Sequence, residues 1–505
     1  MARSHFAISL LTLAIAVPAS QAAVYQIDAI AVAEGAEHQY VLDDNGSLQV
    51  GSVSGRYRGN YAENPDALTQ FSDGALLVAG DEGQLLLGFD TLNDSGQRSG
   101  TTSEMLTAVN AAGWMVGSGS APYQLLVYGE DSTSSSKVRD FSLRAFATAD
   151  GDNLISLAGA EVNGGGISRA QDINDSGLVI GHASLATLAS SQSSYDDCLA
   201  AETPELVCRQ SLTYQLQAWA WQLDDSGSVT SSTSLGLAYT PADGDDTQYQ
   251  SQAYALNNAG LAVGYSQYRS DGVVRNQAAL FSAEGNQLLH AAGAFAESYA
   301  YGLSEANDAG VTYIVGQVPK RIDDETTVSK FFIYDHGAAT PQLRYAYGNS
   351  GLSDFFEAGN SLARAVNSKG QVVGWGEYER VPQSLRRRHG FVYDIADNSF
   401  RDLNRLIPCD SGYEIVDALA IDEAGNILVQ ALMETDARDD DGVLQDGERE
   451  HVVRSLWLQA TGGNSDECPI DEMPTVERQG ASFGLWPLLL LLLLPLRRRF
   501  SGARA

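Results

Sequence analysis

The chain is short of positive charge, cysteine and clustered histidine, and each shortage excludes a kind of chemistry. Against 64 Asp and Glu it carries 31 Lys and Arg, for a formal net charge of −33. Nucleic acid and anionic lipid both require a basic face, so no nucleic-acid partner fits this balance. The charge reads instead as a means of solubility. Only four cysteines occur in 505 residues, with no Cys-x-x-Cys pair, which argues against a zinc knuckle or a redox dithiol. The seven histidines show no His-x-x-x-His or His-Glu-x-x-His spacing, so no zinc site is visible. A Gly-x-Ser-x-Gly elbow is absent as well. Ser134 and Lys137 form Ser-x-x-Lys only by chance, inside a serine-rich run. Gly164-Gly165-Gly166 opens no strand-to-helix phosphate loop and reads as a connection. No catalytic or cofactor-binding residue is therefore assigned.

What the chain does have is glycine, 50 residues of it, placed periodically. A phrase recurs about seven times: an apolar residue, Asn or Asp, two small or polar residues, Gly, an apolar run, then Gly. The clearest copies start at Asn110, Asn174, Asn257 and Asn367 and end at Gly117, Gly181, Gly264 and Gly374. Irregular copies run from Asp43 to Gly51, Asn307 to Gly316 and Asp422 to Val429, the last with Val in place of the closing Gly. The phrase has the chemistry of a hairpin. The Asn or Asp side chain accepts a backbone N–H, and the turn Gly takes a left-handed conformation. The short apolar run that follows reads as a strand, and the closing Gly marks a bulge or a close backbone approach.

Between the hairpins lies a second recurring strand of alternating aromatics, as in Ala218-Trp219-Ala220-Trp221 and Phe331-Phe332-Ile333-Tyr334. Two hairpins per period make four strands, one propeller blade, and spacings of roughly 50 to 80 residues suit blades with loop insertions. The expected fold is thus all-β: a β-propeller of seven blades of four-stranded antiparallel sheet, over residues 23–460. The aromatics are expected as core between blades. The ring is expected to close by pairing residues 24–32 with residues 451–459, because open sheet edges invite aggregation. The runs Ser190–Asp197 and Asp243–Asp246 read as loops by composition. Arg386-Arg387-Arg388, a basic island, reads as the cap of a blade loop.

The ends are read separately. Residues 1–22 form a secretory signal, with Arg3, an apolar stretch from Phe6 to Val17, and cleavage between Ala22 and Ala23 by signal peptidase. After a linker over 461–480, residues 481–505 supply a hydrophobic helix and Arg497-Arg498-Arg499. The apolar stretch from Phe483 to Leu496 has 14 residues, short of the ~20 needed by a stable transmembrane helix. An even cysteine count in an exported chain implies disulfides among Cys198, Cys208, Cys409 and Cys468; three connectivities exist, and closeness favours Cys198–Cys208 and Cys409–Cys468.

The tail is similar to the GlyGly-CTERM sorting signal of Gram-negative bacteria, with Gly480-Ala481-Ser482 standing where Gly-Gly-Ser is usual. That resemblance implies cutting by a rhomboid-type protease and display at the cell surface; the competing reading is an inner-membrane anchor facing the periplasm. The repeats resemble the bacterial HAF-repeat proteins, probable extracellular repeats. Arg144-Ala145-Phe146 and His389-Gly390-Phe391 are close to their His-Ala-Phe, and Asp402-Leu403-Asn404 through Gly425 follows their longer segment. That group carries no activity to transfer.

One metal candidate remains. Asp439, Asp441 and Glu448 fall at positions three, five and twelve of an EF-hand loop, but Ala437 occupies position one and the flanks read as strands. Ca²⁺ binding and a plain solvated acidic loop are the two readings. The expected function is a non-catalytic binding or adhesion propeller at the cell surface, for a glycan or protein ligand. The alternatives are a propeller glycoside hydrolase or lyase with channel carboxylates, and a structural envelope protein.

Overall fold

Each Asn-x-x-Gly phrase forms the hairpin between the first two strands of one sheet. At Asn174 the backbone N–H donates to the Leu178 carbonyl (3.0 Å), while Oδ1 accepts from the Ser176 and Leu178 amides (3.1 and 3.0 Å). Gly177 sits at φ 75°, the left-handed region that only glycine enters freely. The computed structural model describes residues 24–462 except 34–35, 55–73, 93, 95, 97–101, 130–133, 292–293, 325, 348–351, 380–385 and 439–443. The expected signal sequence (1–22) and hydrophobic tail (481–505) lie outside the described residues. Among those described, no helix is long and apolar enough to cross a membrane.

Seven four-stranded antiparallel sheets follow one another along the chain. The first strands of the blades are His38–Asp44, Glu104–Val109, Ser168–Ile173, Ser251–Leu256, Tyr299–Leu303, Ser361–Val366 and Tyr413–Ile421. Each touches the first strand of the next blade, so together they line the central channel. The fold is a seven-bladed β-propeller, as the phrase count predicts. Its closure follows the expectation too: blade seven takes three strands from the C-terminal side and its fourth, Tyr25–Ala29, from the N-terminus. Tyr25 pairs with Ala460 and Ala29 with Leu456.

The closing Gly of the phrase has its own geometry. Opposite it, the first strand carries a bulge: Ala170/Asp172 in blade three, Ala253/Ala255 in blade four and Ala363/Ala365 in blade six. A β-carbon on Gly181 would lie 1.9 Å from the Arg169 carbonyl oxygen, so the bulged backbone occupies the space of a side chain. Apolar clusters fill the seams between blades; Trp219, Trp221, Ala108 and Val116 share one, and Phe331, Phe391 and Tyr393 another. These aromatics are core, as expected.

Two polar devices also cross the seams. The turn asparagines donate onward around the ring: Asn45 to the Asn110 carbonyl (2.8 Å), Asn110 to that of Asn174 (3.1 Å), and Asn174 to that of Asn257 (3.1 Å). Asn367 likewise reaches the Asp422 carbonyl (2.9 Å). Serines supply the second device: Ser168 Oγ accepts from Ala145 N–H, Ser251 from Ala218, Ser298 from Ala278 and Ser361 from Phe331. Sequence reasoning missed both roles.

Antiparallel order places all Asn turns on one face and the longer connections on the other. The long-loop face carries a two-stranded ribbon, Gln124–Tyr128 with Ser134–Val138, and a helical insertion in blade three. The insertion corrects one expectation: Ser190–Asp197 is not a loop but the body of a helix, Ala189–Ala200. No Gly or Pro occurs between Gly181 and Pro204, so nothing breaks the helix despite its serines. The Cys198–Cys208 disulfide then ties it to the short helix Glu205–Cys208. Cys409 is disulfide-bonded as well; Cys468 lies outside the described residues. Asp243–Asp246 is a loop, as expected.

Candidate functional site: an arginine and tyrosine arc in the channel

The bulges turn a row of side chains toward the channel. The unpaired residue of each bulge lies three positions before the turn Asn in most blades: Thr107, Gln171, Tyr254 and Arg364. Tyr301 is the corresponding residue of blade five. Residues two places earlier add Arg169, Gln252, Tyr299 and, in blade seven, Asp417.

Blades four and five build the centre of this arc. Tyr254 stacks on Tyr301 with ring centroids 5.5 Å apart, and Tyr301 on Tyr299 at 6.1 Å. Tyr265, from the second strand of blade four, meets Tyr299 edge-on at 5.5 Å. The hydroxyls are tethered: Tyr254 donates to Gln252 Oε1 (3.3 Å), Gln317 donates to Tyr301 (3.2 Å), and Asn276 donates to Tyr299 (2.9 Å). Burial raises these phenols, reinforced by neighbouring tyrosines at Tyr254, Tyr265 and Tyr301 and by Glu297 at Tyr299; Tyr265 and Tyr301 are pushed to about 12. They therefore stay protonated near neutrality and serve as donors and flat apolar faces, not as general bases.

An arginine stands at each end. Arg364 pairs with Asp417 (3.0 Å), whose carboxyl is raised by burial against the pull of Arg364 and Arg388. Arg169 lies opposite His182 in the strand register, and its Nη2 meets only the Met105 sulfur, at 3.0 Å. The Nε atoms of Arg169 and Arg364, His182 Nδ1 and Asp417 Oδ1 are buried without a partner. Burial first, and Arg169 second, hold His182 down at about 4, so it is neutral under ordinary conditions. Two carboxylates meet the arc: Asp417, committed to Arg364, and the exposed Glu297, which accepts from the Tyr299 hydroxyl (3.0 Å).

Two acids that resemble a catalytic pair have backbone duties instead. Asp43 Oδ2 accepts from Val109 N–H (2.8 Å) and Asp172 Oδ2 from Leu256 N–H (2.7 Å), each linking its blade to the next. Both carboxyls are desolvated between strands, which raises Asp43 to about 7, with help from Asp172, and Asp172 to about 6.

A second polar cluster sits on the long-loop face of blades six and seven. His389 Nδ1 contacts Asp402 (2.8 Å), its Nε2 faces Glu414 (3.7 Å), and Tyr378 stacks on the ring at 3.6 Å. Burial opposes charging this imidazole, yet the two carboxylates outweigh burial and raise it. Arg386, Arg387 and Arg388 border an adjacent cavity of about 350 Å³. Arg386 is held by Glu377 and the Ala358 carbonyl, and Arg387 by Glu414, in keeping with the loop-cap reading. Arg388 lies over the Trp375 ring at 4.6 Å.

Of the Ca²⁺ candidates, Glu448 is an exposed residue on the third strand of blade seven. Asp439 and Asp441 lie outside the described residues. Strands flank that loop on both sides, Ile427–Arg438 and Leu444–Ala460. Among the described residues no three His, Cys, Asp or Glu side chains gather as a metal site.

Fold and site together define a seven-bladed propeller with a polar, aromatic-lined channel. The chain belongs to the family described as "Protein of unknown function (DUF3466)", whose model matches residues 76–499. No curated protein matches it. Among solved structures it is similar to polysaccharide lyase Uly1, at 11% identity and TM-score 0.41, over 86% of this chain and 91% of that one. The β-propeller domain of the Trilobed protease from Pyrococcus furiosus, with its open velcro topology, is another, at 9% identity and TM-score 0.37, over 83% and 98%. A protein of unknown function from Dyadobacter fermentans is a third, at 8% identity and TM-score 0.33, over 86% and 99%.

Proposed function

We propose that this protein is an exported, non-catalytic binding propeller that takes a surface glycan at its channel arc. The observation that carries this reading is the Tyr254–Tyr301–Tyr299 stack set between Arg169 and Arg364. Stacked rings with tethered hydroxyls suit the alternating C–H faces and hydroxyls of a sugar. The phenols are too weakly acidic to ionise near neutrality, and both carboxylates that meet the arc are already engaged, Asp417 by Arg364 and Glu297 by the Tyr299 hydroxyl, so recognition fits these groups better than turnover. Export follows from the leader cleaved between Ala22 and Ala23. The tail, cut at Gly480-Ala481-Ser482 by a rhomboid-type protease, supports release to the cell surface.

A glycan array probed with the purified mature protein, run beside a reducing-sugar assay on the bound glycans, tests this. Binding without sugar release is expected, lost by tenfold or more in Tyr301→Ala, since a truncated aromatic anchor costs roughly 2 kcal/mol. Sugar release that disappears in Asp417→Asn overturns the reading in favour of an enzyme.

A further inference from the structure

Arg364 has its carboxylate; Arg169 has none among the described residues. Its Nε is buried and unpartnered, and its one hydrogen bond is to a thioether, a weak acceptor. His182, held neutral beside it, supplies no counter-charge and leaves its own Nδ1 unpartnered. A half-buried guanidinium whose Nε is cut off from water and which has no anion beside it is held at a cost. The missing charge fits a ligand that enters the channel. Next to Arg169 stands Tyr254, close enough for the two side chains to interact electrostatically, and beyond it the tyrosine stack. The anion-binding group and the sugar platform thus occupy successive blades.

We infer that the channel takes an acidic oligosaccharide, one uronate carboxylate docking on Arg169 and a neighbouring ring lying on Tyr254 and Tyr301. The inference rests on the binding reading above and names its ligand class. A flat stack of rings favours a pyranose face over a peptide, which is more often held by strand addition or by separate pockets. At the far end Arg364, neutralised by Asp417, exerts no comparable demand, so the ligand needs its charge on the blade-three side.

Calorimetric titration of the mature protein with uronate tetrasaccharides (galacturonate, glucuronate, mannuronate and guluronate) tests this, with their carboxyl-reduced counterparts and tetraglutamate alongside. At least one uronate is expected to bind, more weakly as salt rises. Arg169→Gln should weaken that binding roughly tenfold or more, as a charge-assisted hydrogen bond does when lost, and weaken binding of the reduced sugar by a clearly smaller factor. The thermal midpoint of Arg169→Gln should equal or exceed that of the parent, because a half-buried cation without a counter-charge is gone. Equal binding of reduced and acidic sugars overturns the Arg169 assignment and leaves the glycan reading standing. Failure of every saccharide sinks both. Tetraglutamate binding as tightly as the best uronate overturns the ligand class. A midpoint lowered by about 5 °C or more in both Arg169→Gln and Arg169→Lys makes Arg169 structural and overturns the proposal.

Discussion

A single asparagine amide serves two blades in this molecule. Its oxygen closes the turn of its own hairpin, and its nitrogen holds the carbonyl of the next turn asparagine. The first role is legible in the sequence, because Asn-x-x-Gly before an apolar run is local turn chemistry. The second is not, because it depends on how neighbouring blades are set. The channel arc was hidden for a related reason: Arg169, Tyr254, Tyr301 and Arg364 are far apart in the chain. A signal did exist, since Tyr254 and Arg364 lie three residues before their turn asparagines, the bulge position that faces inward. Aligning the repeats on Asn and reading back three and five places would have found most of the arc. Asp43 gives a residue-scale prediction. Its folded carboxyl is raised to about 7, so the native state keeps a proton that the unfolded chain releases. Stability contributed by that proton is present at pH values below the unfolded carboxylate range and lost as pH rises toward 7. Asp43→Asn keeps an oxygen for the Val109 amide and removes the titration. It should match the parent near pH 4 and exceed it by about 1–2 kcal/mol near pH 7.5, the shift being discounted for partial solvent exposure. Urea unfolding at the two pH values measures this; a parallel pH dependence in both proteins would count against it.

At the scale of the element, the hairpin and its bulge form one unit. The closing glycine is needed because the bulge pushes a carbonyl into the place of its side chain; Gly51, Gly264 and Gly374 face such oxygens at 1.9 to 2.0 Å from an added β-carbon. Gly181→Ala should therefore cost about 2–4 kcal/mol, read as a lower urea midpoint with unchanged slope. Blade seven shows the alternative. There Val429 replaces the glycine, and its first strand shifts register twice, at Ile415/Asp417 and Ala418/Ala420, instead of once. The sequence marks that blade as irregular without saying how the backbone adapts. The misread segment at Ser190–Asp197 has a different lesson. Serine-rich composition suggested a loop, but helix formation there depends on the absence of breakers and on the Cys198–Cys208 tie, not on amphipathic periodicity.

For the whole molecule, closure carries the greatest weight. The seven-bladed ring was legible because the repeat counts itself. The partner for the edge of the last blade was also foreseeable, since a strand with no hairpin mate was left over at the N-terminus. Blade seven has no amide on Asp422 to pass to blade one, and its seam is made otherwise: Trp457 Nε1 donates to Asp44 (2.9 Å), and Val41 N–H to Ser455 Oγ (2.8 Å). Deleting residues 24–32 removes the fourth strand of that blade and should lower the thermal midpoint by roughly 10 °C or more in calorimetry; an unchanged midpoint would show that three strands suffice. The same seam orders events in time. Val24 accepts from Thr461, a bond spanning 437 positions, so the earliest part of the barrel-like ring to be synthesised is the last to find its mate. A chain delivered amino end first waits, incomplete, until nearly its whole length has arrived. The two cuts expected from the sequence, between Ala22 and Ala23 and at Gly480-Ala481-Ser482, both lie outside the paired strands, one on either side of this clasp.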